Sequence, residues 1–335
     1  MFFSSQEVHA AQRTVYAAMP PTPQYAWPLL EKRLGYKVWV KHENHTPVGA
    51  FKVRGGLTYF ERLFESSALP AGVGSAKPLA GVISATRGNH GQSVGFAARK
   101  YGLPATIVVP HGNSVEKNAA MRALGVSLIE HGDDFQAARE HANALADERG
   151  LHMVPSFHRD LLRGVMTYWV EFFESFAAAD MPSVFYVPIG QGSGFSAAAA
   201  AREHTGAKTR LVGVVSAHAT AYLDSFRAGK LLEAPVTTQL ADGMACRVPD
   251  AQALDIVLRE ADDVVSVTDD EVAHAMRVLF ADTHNVAEGA GAASLAAAIQ
   301  HRERLQGQVV GTTLCGGNVD TDVFAQVLAG ARATA

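Results

Sequence analysis

A lysine among small and apolar residues is the most promising reactive group in this sequence. Lys52 lies in the segment Gly49–Gly56 (GAFKVRGG), shortly after a Thr-Pro turn. Because a buried ammonium group is costly to keep charged, a lysine in this setting is a candidate for a lowered pKa and for nucleophilic or Schiff-base chemistry. The segment alone also permits a surface lysine whose aliphatic stem covers apolar neighbours.

Two glycine-rich segments could bind anions. Thr86–Gly91 (TRGNHG) lies between a predicted strand and a predicted helix, where free backbone N–H groups and the positive end of a helix dipole favour a carboxylate or phosphate. The alternative is a tight turn whose glycines serve only the backbone. Val187–Gly194 (VPIGQGSG) also follows a strand but lacks the Lys-Ser/Thr pair of a nucleotide triphosphate loop. The next strand ends at Ser216 and not at an acidic residue that would bind a ribose. This loop therefore suits a phosphate without a ribose.

A fourth segment, Leu314–Asn318 (LCGGN), ends the last predicted strand with a small polar side chain and two glycines. Cys315 by itself would be read as a small buried hydrophobe. All four segments, however, fall at the carboxyl ends of predicted strands, where open α/β sheets bind their ligands. We therefore expect them to form one site.

The elements that position these segments alternate between short β-rich runs and longer helical ones. This pattern is typical of parallel strands joined by crossover helices and predicts an α/β fold. A helix is predicted over Gln92–Tyr101, and Asn113–Glu116 resembles a capping box that would begin another. The predicted strands are Tyr36–Glu43, Gly81–Ala85, Ala105–Pro110, Val126–His131, Val184–Ile189, Leu211–Ser216, Val264–Thr268 and Val309–Cys315.

The length of 335 residues predicts two domains, since one core seldom keeps growing to this size. Three strand-helix units lie between Leu57 and His152. We therefore expect a large domain formed by residues 1–54 and 155–335, and a small α/β domain, residues 55–154, that closes over the substrate. We expect the chain to finish with a helix over Asp322–Ala331, without a C-terminal regulatory domain.

Composition argues against several classes of function. The net charge is −4 and no Lys/Arg stripe could neutralise a phosphate backbone, so nucleic acid is not an expected partner. The longest apolar runs are far shorter than the roughly 20 residues that span a bilayer, and no export signal is evident. Two cysteines without a CxxC pair suit a reducing compartment, and the histidines lack zinc-site spacing. The expected location is the cytoplasm.

The four segments together resemble the serine/threonine dehydratase and serine racemase group of pyridoxal 5'-phosphate (PLP) enzymes, which includes threonine ammonia-lyase. The likeness runs from Glu43 to Asp320 and adds Glu43–Pro47 (ENHTP) to the motifs above. It implies a two-domain, fold-type II architecture similar to the tryptophan synthase β chain, with twisted, mostly parallel sheets flanked by helices. It also implies PLP as cofactor, a small amino-acid substrate and a possible homodimer.

The resemblance assigns roles around the cofactor ring. Lys52 would form the Schiff base, and Phe51 would pack beside it. Asn89 would hydrogen-bond the phenolic oxygen, Cys315 would face the pyridine nitrogen, and Glu288 would lie near the ring.

The resemblance also assigns two anion sites. The substrate carboxylate would be bound by Thr86 and the turn formed by Arg87, Gly88 and His90. The cofactor phosphate would be bound by Gly190, Gln191, Gly192, Ser193 and Gly194.

These roles imply a dehydratase that converts an L-β-hydroxy-α-amino acid of the threonine or serine type to a 2-oxo acid and ammonia. Lys52 would remove the α-proton as a general base, and the cofactor phosphate is a plausible acid for the departing hydroxyl group. A neutral thiol at Cys315 cannot keep the ring nitrogen protonated, which favours loss of a β-leaving group over transamination.

Three departures from the usual family pattern bear on substrate and cofactors. Arg87 replaces the serine that serves racemases as a proton donor on the second face, which disfavours racemisation. Ser216 and Tyr222 replace the acidic residues of a divalent-cation site, so no metal is expected. The segments Phe157–Asp160 and Gly164–Thr167 replace a more acidic, glutamine-containing version, which predicts a reshaped pocket. Candidates to line it, unless they lie on solvated loops, are His158, Arg159, Met244 and Arg247.

Several alternatives remain at this stage. A bulkier β-hydroxy amino acid, phenylserine or 3-hydroxyaspartate, could be the substrate. A sulfide-using β-replacement enzyme is a further alternative, but such enzymes carry a Thr-Gly version of the asparagine turn where this chain has Asn89–Gly91. A non-catalytic PLP-binding protein is disfavoured by intact Lys52 and Asn89, and a nicotinamide-dependent oxidoreductase by the missing acidic residue.

Overall fold

Two mainly parallel sheets organise the chain in the computed structural model, which describes residues 2–67 and 79–330. The first sheet has six strands in the order β1-β2-β10-β7-β8-β9, and all its pairings are parallel except that of β1 with β2. Its strands are β1 (Gln24–Ala26), β2 (Lys37–His42), β7 (Val184–Pro188), β8 (Arg210–Ser216), β9 (Asp263–Val267) and β10 (Val309–Leu314).

The second sheet has four parallel strands in the order β5-β4-β3-β6. Its strands are β3 (Val82–Ala85), β4 (Ala105–Val109), β5 (Ser127–Glu130) and β6 (His152–Met153). All four lie within the stretch predicted to form the small domain, while the strands of the first sheet lie outside it. The exact domain boundaries stay a prediction.

Thirteen α-helices within the described residues connect and cover these strands. They are α1 (Ser5–Tyr16), α2 (Pro28–Leu34), α3 (Lys52–Ser67), α4 (Asn89–Lys100), α5 (Val115–Ala123), α6 (Phe135–Arg149), α7 (Arg159–Glu174), α8 (Ser193–Thr205), α9 (Ala221–Ala228), α10 (Ala251–Glu260), α11 (Asp269–Thr283), α12 (Gly289–Gln300) and α13 (Thr321–Leu328). The predicted α/β class is confirmed. In the described part of the chain no helix is both long and apolar enough to cross a membrane.

All eight predicted strands are present, each within one residue of its predicted ends. The strands β1 and β6 were not predicted, because three and two residues are too few to show a period of two.

Two helix starts differ from the prediction. Helix α4 begins at Asn89, three residues earlier than expected, so the asparagine turn is itself the first turn of the helix. The capping box at Asn113–Glu116 is wrong: the N-cap residue of α5 is Ser114, whose hydroxyl accepts a hydrogen bond from the backbone N–H of Lys117 at 3.0 Å. The predicted last helix ends at Leu328, and Ala331 lies outside the described residues.

A buried ionic network fixes the start of α3, which carries Lys52. Arg54 is completely buried and donates to the Glu43 carboxylate at 2.7 Å and to Glu171 at 2.6 Å. Lys41 donates to the same Glu171 carboxylate at 2.7 Å. Buried charges are stable only when they are paired in this way, so the network holds this end of the helix in one position.

A close approach of α7 holds the same region from the other side. A Cβ atom added to Gly164 would lie 2.0 Å from the carbonyl oxygen of Arg54, a distance that no side chain could occupy. Glycine at this position therefore allows the backbones of α3 and α7 to pack directly against each other.

Candidate active site

The Lys52 side chain lies at the meeting point of the first sheet and the glycine loop. The backbone N–H of Phe51 donates to the carbonyl oxygen of Cys315 at 3.0 Å, which ties the lysine segment to the end of β10. The Lys52 Nζ atom donates to the Ser193 hydroxyl at 3.2 Å. Loss of solvation lowers the pKa of Lys52 from its usual 10.5 to about 8, although Cys315 and Glu288 act in the opposite direction. A neutral amine is therefore accessible near neutral pH.

The glycine loop forms a cradle between β7 and α8. Gly192, at φ 90°, is the N-cap residue of α8 and has no side chain with which to cap the first N–H groups of the helix. A Cβ atom at Gly190 would lie 2.2 Å from the carbonyl oxygen of Gly243. The loop therefore exposes backbone donors and a helix N-terminus to the pocket, as an anion site requires.

Asn89 connects the second sheet with the end of β10. Its Nδ2 atom donates to Glu288 Oε1 at 2.5 Å, and its Oδ1 atom accepts from Asn318 Nδ2 at 2.8 Å. Asn318 also donates to the carbonyl oxygen of Val48 at 2.8 Å. Two of the sequence motifs thus meet, next to the start of the Lys52 segment, in one hydrogen-bond network that orients the asparagine amide.

The turn before α4 contributes polar groups of different charge. The Thr86 hydroxyl accepts from the backbone N–H of Gly88 at 3.0 Å. Burial, together with the charge of Lys52, lowers the pKa of His90 to about 3, so the imidazole is neutral. Arg87 lines the pocket with its Nε atom buried and without a hydrogen-bond partner among the described residues.

Cys315 follows the last residue of β10 and lines the same pocket. Burial raises the pKa of its thiol, and the nearby Glu288 carboxylate raises it further. Its Sγ atom lies 3.4 Å from the carbonyl oxygen of Ala290. The pocket therefore meets an uncharged thiol here.

Two charged residues of the pocket, Lys117 and Asp242, were not predicted from the sequence. The Lys117 Nζ atom lies 2.7 Å from Asp242 Oδ2 and 3.1 Å from Glu288 Oε2. Burial would lower the pKa of Lys117, but the two carboxylates outweigh this effect and raise it. The only signal in the sequence was the position of Lys117 three residues after the N-cap Ser114, which places its side chain in the first turn of α5.

All the predicted cofactor- and substrate-binding residues line this one pocket. Of the four additional candidates, only Met244 lines it. His158 and Arg159 are exposed at the start of α7, and Arg159 pairs with Glu7 at 2.7 Å. Arg247 is also exposed, 3.7 Å from Asp134. Besides Met244, Lys117 and Asp242, the lining contains Ala85, Phe135, Ser156, Pro188, Gly243, Ala245 and Ala290.

The segments Phe157–Asp160 and Gly164–Thr167 were predicted to reshape the pocket. This prediction is wrong, since neither segment is part of the pocket lining among the described residues. Gly164–Thr167 packs against α3 instead, and the Thr167 hydroxyl accepts from Arg54 at 2.9 Å. Phe157–Asp160 begins α7 and also lies outside the lining. The buried Tyr222 packs behind the glycine loop, since a Cβ atom at Gly192 would lie 2.9 Å from its hydroxyl oxygen. The absence of a metal site beside Ser216 stays a prediction.

Comparison with known proteins identifies a family and several similar enzymes. The family model described as pyridoxal-phosphate dependent enzyme matches residues 15–316. An L-threonine ammonia-lyase of Geobacter sulfurreducens is 34% identical over 301 residues, which cover 89% of this chain and 71% of that protein. An L-threo-3-hydroxyaspartate ammonia-lyase of Saccharomyces cerevisiae is 29% identical over 310 residues, or 92% and 91% of the two chains. The crystal structure of a threonine deaminase from T.th. superimposes with a TM-score of 0.84 at 29% identity and covers 95% of this chain and 99% of that one.

Proposed function

Because this chain belongs to the family of pyridoxal-phosphate dependent enzymes, we propose that it is a dehydratase, or ammonia-lyase, of an L-β-hydroxy-α-amino acid. The products are a 2-oxo acid and ammonia. The observation that carries the proposal is the 3.2 Å separation of Lys52 Nζ and Ser193 Oγ, which places an amine of lowered pKa beside a phosphate cradle. The similar ammonia-lyases support the reaction class.

The pocket fits the cofactor chemically. Lys52 would bond it, Gly190–Gly194 would bind its phosphate, and Phe51 would pack beside it. Asn89 and Cys315 offer uncharged polar groups, while Glu288 accepts the amide hydrogen of Asn89. When bound, PLP supplies an electron sink that stabilises negative charge at the substrate α-carbon.

Lys52 is the group that moves the α-proton. Once its amine is free of the cofactor, a pKa near 8 leaves a fraction of it neutral and able to accept a proton at physiological pH, a far larger fraction than at the usual pKa of 10.5. Its helix is held by Arg54 and by the close contact with α7, so the Nζ atom returns to one position. Such positioning of a catalytic base contributes to the rate by keeping the reacting atoms aligned.

The turn Thr86–His90 binds the substrate carboxylate. Gly88 is the N-cap residue of α4 and leaves the first N–H groups of that helix available to an anion. His90 is neutral and adds no charge, so the orientation of the substrate carboxylate at this turn depends on hydrogen bonds and the helix dipole.

Cys315 favours elimination. Its neutral thiol would not hold a proton on the pyridine nitrogen of bound PLP, and this would favour loss of the β-hydroxyl group from the substrate.

A substrate panel tests this function. Purified protein reconstituted with PLP is assayed for 2-oxo acid and ammonia from threonine, serine, 3-hydroxyaspartate and phenylserine, together with chiral analysis of the remaining amino acid. We expect 2-oxo acid from at least one of them, and none from Lys52→Ala, which also loses the visible absorbance of the bound cofactor. Lys32→Ala, an exposed lysine of α2, is the control. Inversion of configuration without 2-oxo acid would contradict the proposal.

We also propose that the protein forms a homodimer, which light scattering can measure.

A further inference from the structure

Arg87 is a charged side chain of the pocket for which the described residues provide no counter-ion. Its Nε atom is buried without a hydrogen-bond partner, and no carboxylate of the described residues pairs with its guanidinium group. Arg87 is half-buried, and a donor such as its Nε–H that is shielded from water without a partner is unfavourable. A guanidinium group paired with a carboxylate can instead form two parallel hydrogen bonds. This arrangement indicates that an anion from outside the chain binds Arg87.

The acidic residues that line the pocket are already occupied. Asp242 and Glu288 both contact Lys117, at 2.7 and 3.1 Å, and Glu288 also accepts from Asn89. Neither carboxylate is therefore free to neutralise Arg87.

The two anions that the proposed reaction requires also have sites of their own. The cofactor phosphate has the N-terminus of α8 behind Gly192, and the substrate α-carboxylate has the N-terminus of α4 behind Gly88. His90 and Cys315 are neutral, so Arg87 is left as a pocket cation that no carboxylate of the described residues contacts.

We propose that Arg87 selects a substrate that carries a second carboxylate on its β-carbon, next to the hydroxyl group. This inference rests on the proposed function and narrows it to β-hydroxy dicarboxylic amino acids such as 3-hydroxyaspartate. The guanidinium group donates two hydrogen bonds to the β-carboxylate. Threonine and serine lack this group and leave the arginine unpaired.

Two variants of Arg87 and one control variant, compared by their kinetics, test whether Arg87 binds the β-carboxylate. Arg87→Gln removes the charge and the bidentate donor, Arg87→Lys keeps the charge, and Arg247→Gln removes a nearby exposed arginine outside the pocket. We expect Arg87→Gln to lower kcat/KM for L-threo-3-hydroxyaspartate by about 100-fold or more, and to lower the ratio of this kcat/KM to that for serine by at least about 30-fold. Arg87→Lys should recover part of the loss, and Arg247→Gln should match the parent enzyme.

Equal losses for both substrates would assign Arg87 to the α-carboxylate and overturn the inference, as would an unchanged kcat/KM for 3-hydroxyaspartate.

A binding measurement separates this inference from the proposed function. Succinate and butyrate have the same chain length but differ by one carboxylate, and their affinities for the PLP-loaded protein are measured by calorimetry. We expect succinate to bind at least about 10-fold more tightly to the parent protein, and Arg87→Gln to remove that preference. This result would support the dicarboxylate site even if no amino acid of the panel were dehydrated. Equal affinity of the parent protein for the two acids would overturn the inference, whatever the reaction.

Discussion

The Lys117 Nζ atom lies 2.7 Å from Asp242 Oδ2 and thereby connects α5, which packs beside the second sheet, with the loop before α10. The Ser114 hydroxyl of the same helix contacts Asp320, and Glu116 accepts from the backbone N–H of Thr321 at 2.9 Å. One turn of α5 thus makes three polar contacts with the part of the chain that carries the glycine loop and Cys315. Lys117 is the buried member of this set.

Lys117→Met tests how much this contact contributes. The substitution keeps an unbranched side chain one atom shorter but leaves the buried Glu288 carboxylate without its cation. Removing one partner of a buried pair is strongly destabilising, and since Asp242 is partly exposed we expect a loss of about 2–4 kcal/mol in the free energy of unfolding. Urea denaturation of the parent protein and the variant measures it.

Lys100→Met, an exposed lysine at the end of α4, is the matched control. If Lys117→Met and Lys100→Met had the same unfolding midpoint as the parent protein, the ion pairs of Lys117 would contribute nothing to stability.

The pKa of Lys52 predicts how cofactor attachment depends on pH. Only the neutral amine is nucleophilic, and a pKa of about 8 means that its population rises as the pH increases through 8. We expect the rate at which the cofactor-free protein gains visible absorbance on addition of PLP to increase from about pH 7 to 9 and then level. A rate that continued to rise towards pH 10.5, the usual pKa of a lysine, would show an unshifted amine.

The same pKa predicts a change in stability of the cofactor-free protein. Between pH 8 and 10.5 the unfolded chain binds the Lys52 proton and the folded chain does not, so the free energy of unfolding rises with pH across this window. Lys52→Met lacks the titration. We therefore expect the parent protein to gain stability relative to Lys52→Met from pH 8 to 10.5, as measured by urea denaturation at each pH. A difference independent of pH would contradict the prediction.

Gly164→Ala tests the packing that positions Lys52. The new methyl group would lie 2.0 Å from the Arg54 carbonyl oxygen, which is backbone and cannot rotate away. Overpacking of this kind costs about 1–3 kcal/mol or more. We expect lower stability and, because α3 must shift, weaker PLP binding measured by absorbance titration.

Gly206→Ala is the comparison for Gly164→Ala. At φ 70° this glycine has no atoms within 4 Å of the new methyl group, so the substitution introduces backbone strain of about 1 kcal/mol alone. Equal effects of the two substitutions on PLP affinity would show that the contact of α3 with α7 does not position Lys52.

The sequence was sufficient to predict most of the strands and the meeting of the four motifs. Strand ends carry local signals: apolar runs bounded by glycine or proline place β3, β4 and β7 correctly, and the carboxyl ends of parallel strands must lie together. The glycine loop could be predicted for the same reason, because its spacing and its position before a helix are local properties.

Contacts between distant segments could not be predicted. Lys117 belongs to the pocket because α5 turns its first residues towards Asp242, 125 positions later, and nothing near either residue indicates this. The segment Gly164–Thr167 departs from the usual family pattern, and this departure predicted a place in the pocket. Its composition instead reflects the need for a glycine against α3 and a hydroxyl for Arg54. Such requirements appear only once the packing of two helices is known.

Cys315 offers a test of why this pocket favours elimination. Cys315→Ser keeps a small neutral hydrogen-bonding group at the end of β10, so we expect 2-oxo acid formation to remain within about 10-fold of the parent rate. Cys315→Asp places a carboxylate there, which can hold a proton on the pyridine nitrogen and so prolong the life of the carbanion. Its proximity to Glu288 also adds a second buried acid. We expect Cys315→Asp to lose most of its dehydratase activity and to gain absorbance at long wavelength when substrate is added. Rapid dehydration by Cys315→Asp would show that the charge opposite the ring nitrogen does not determine the reaction.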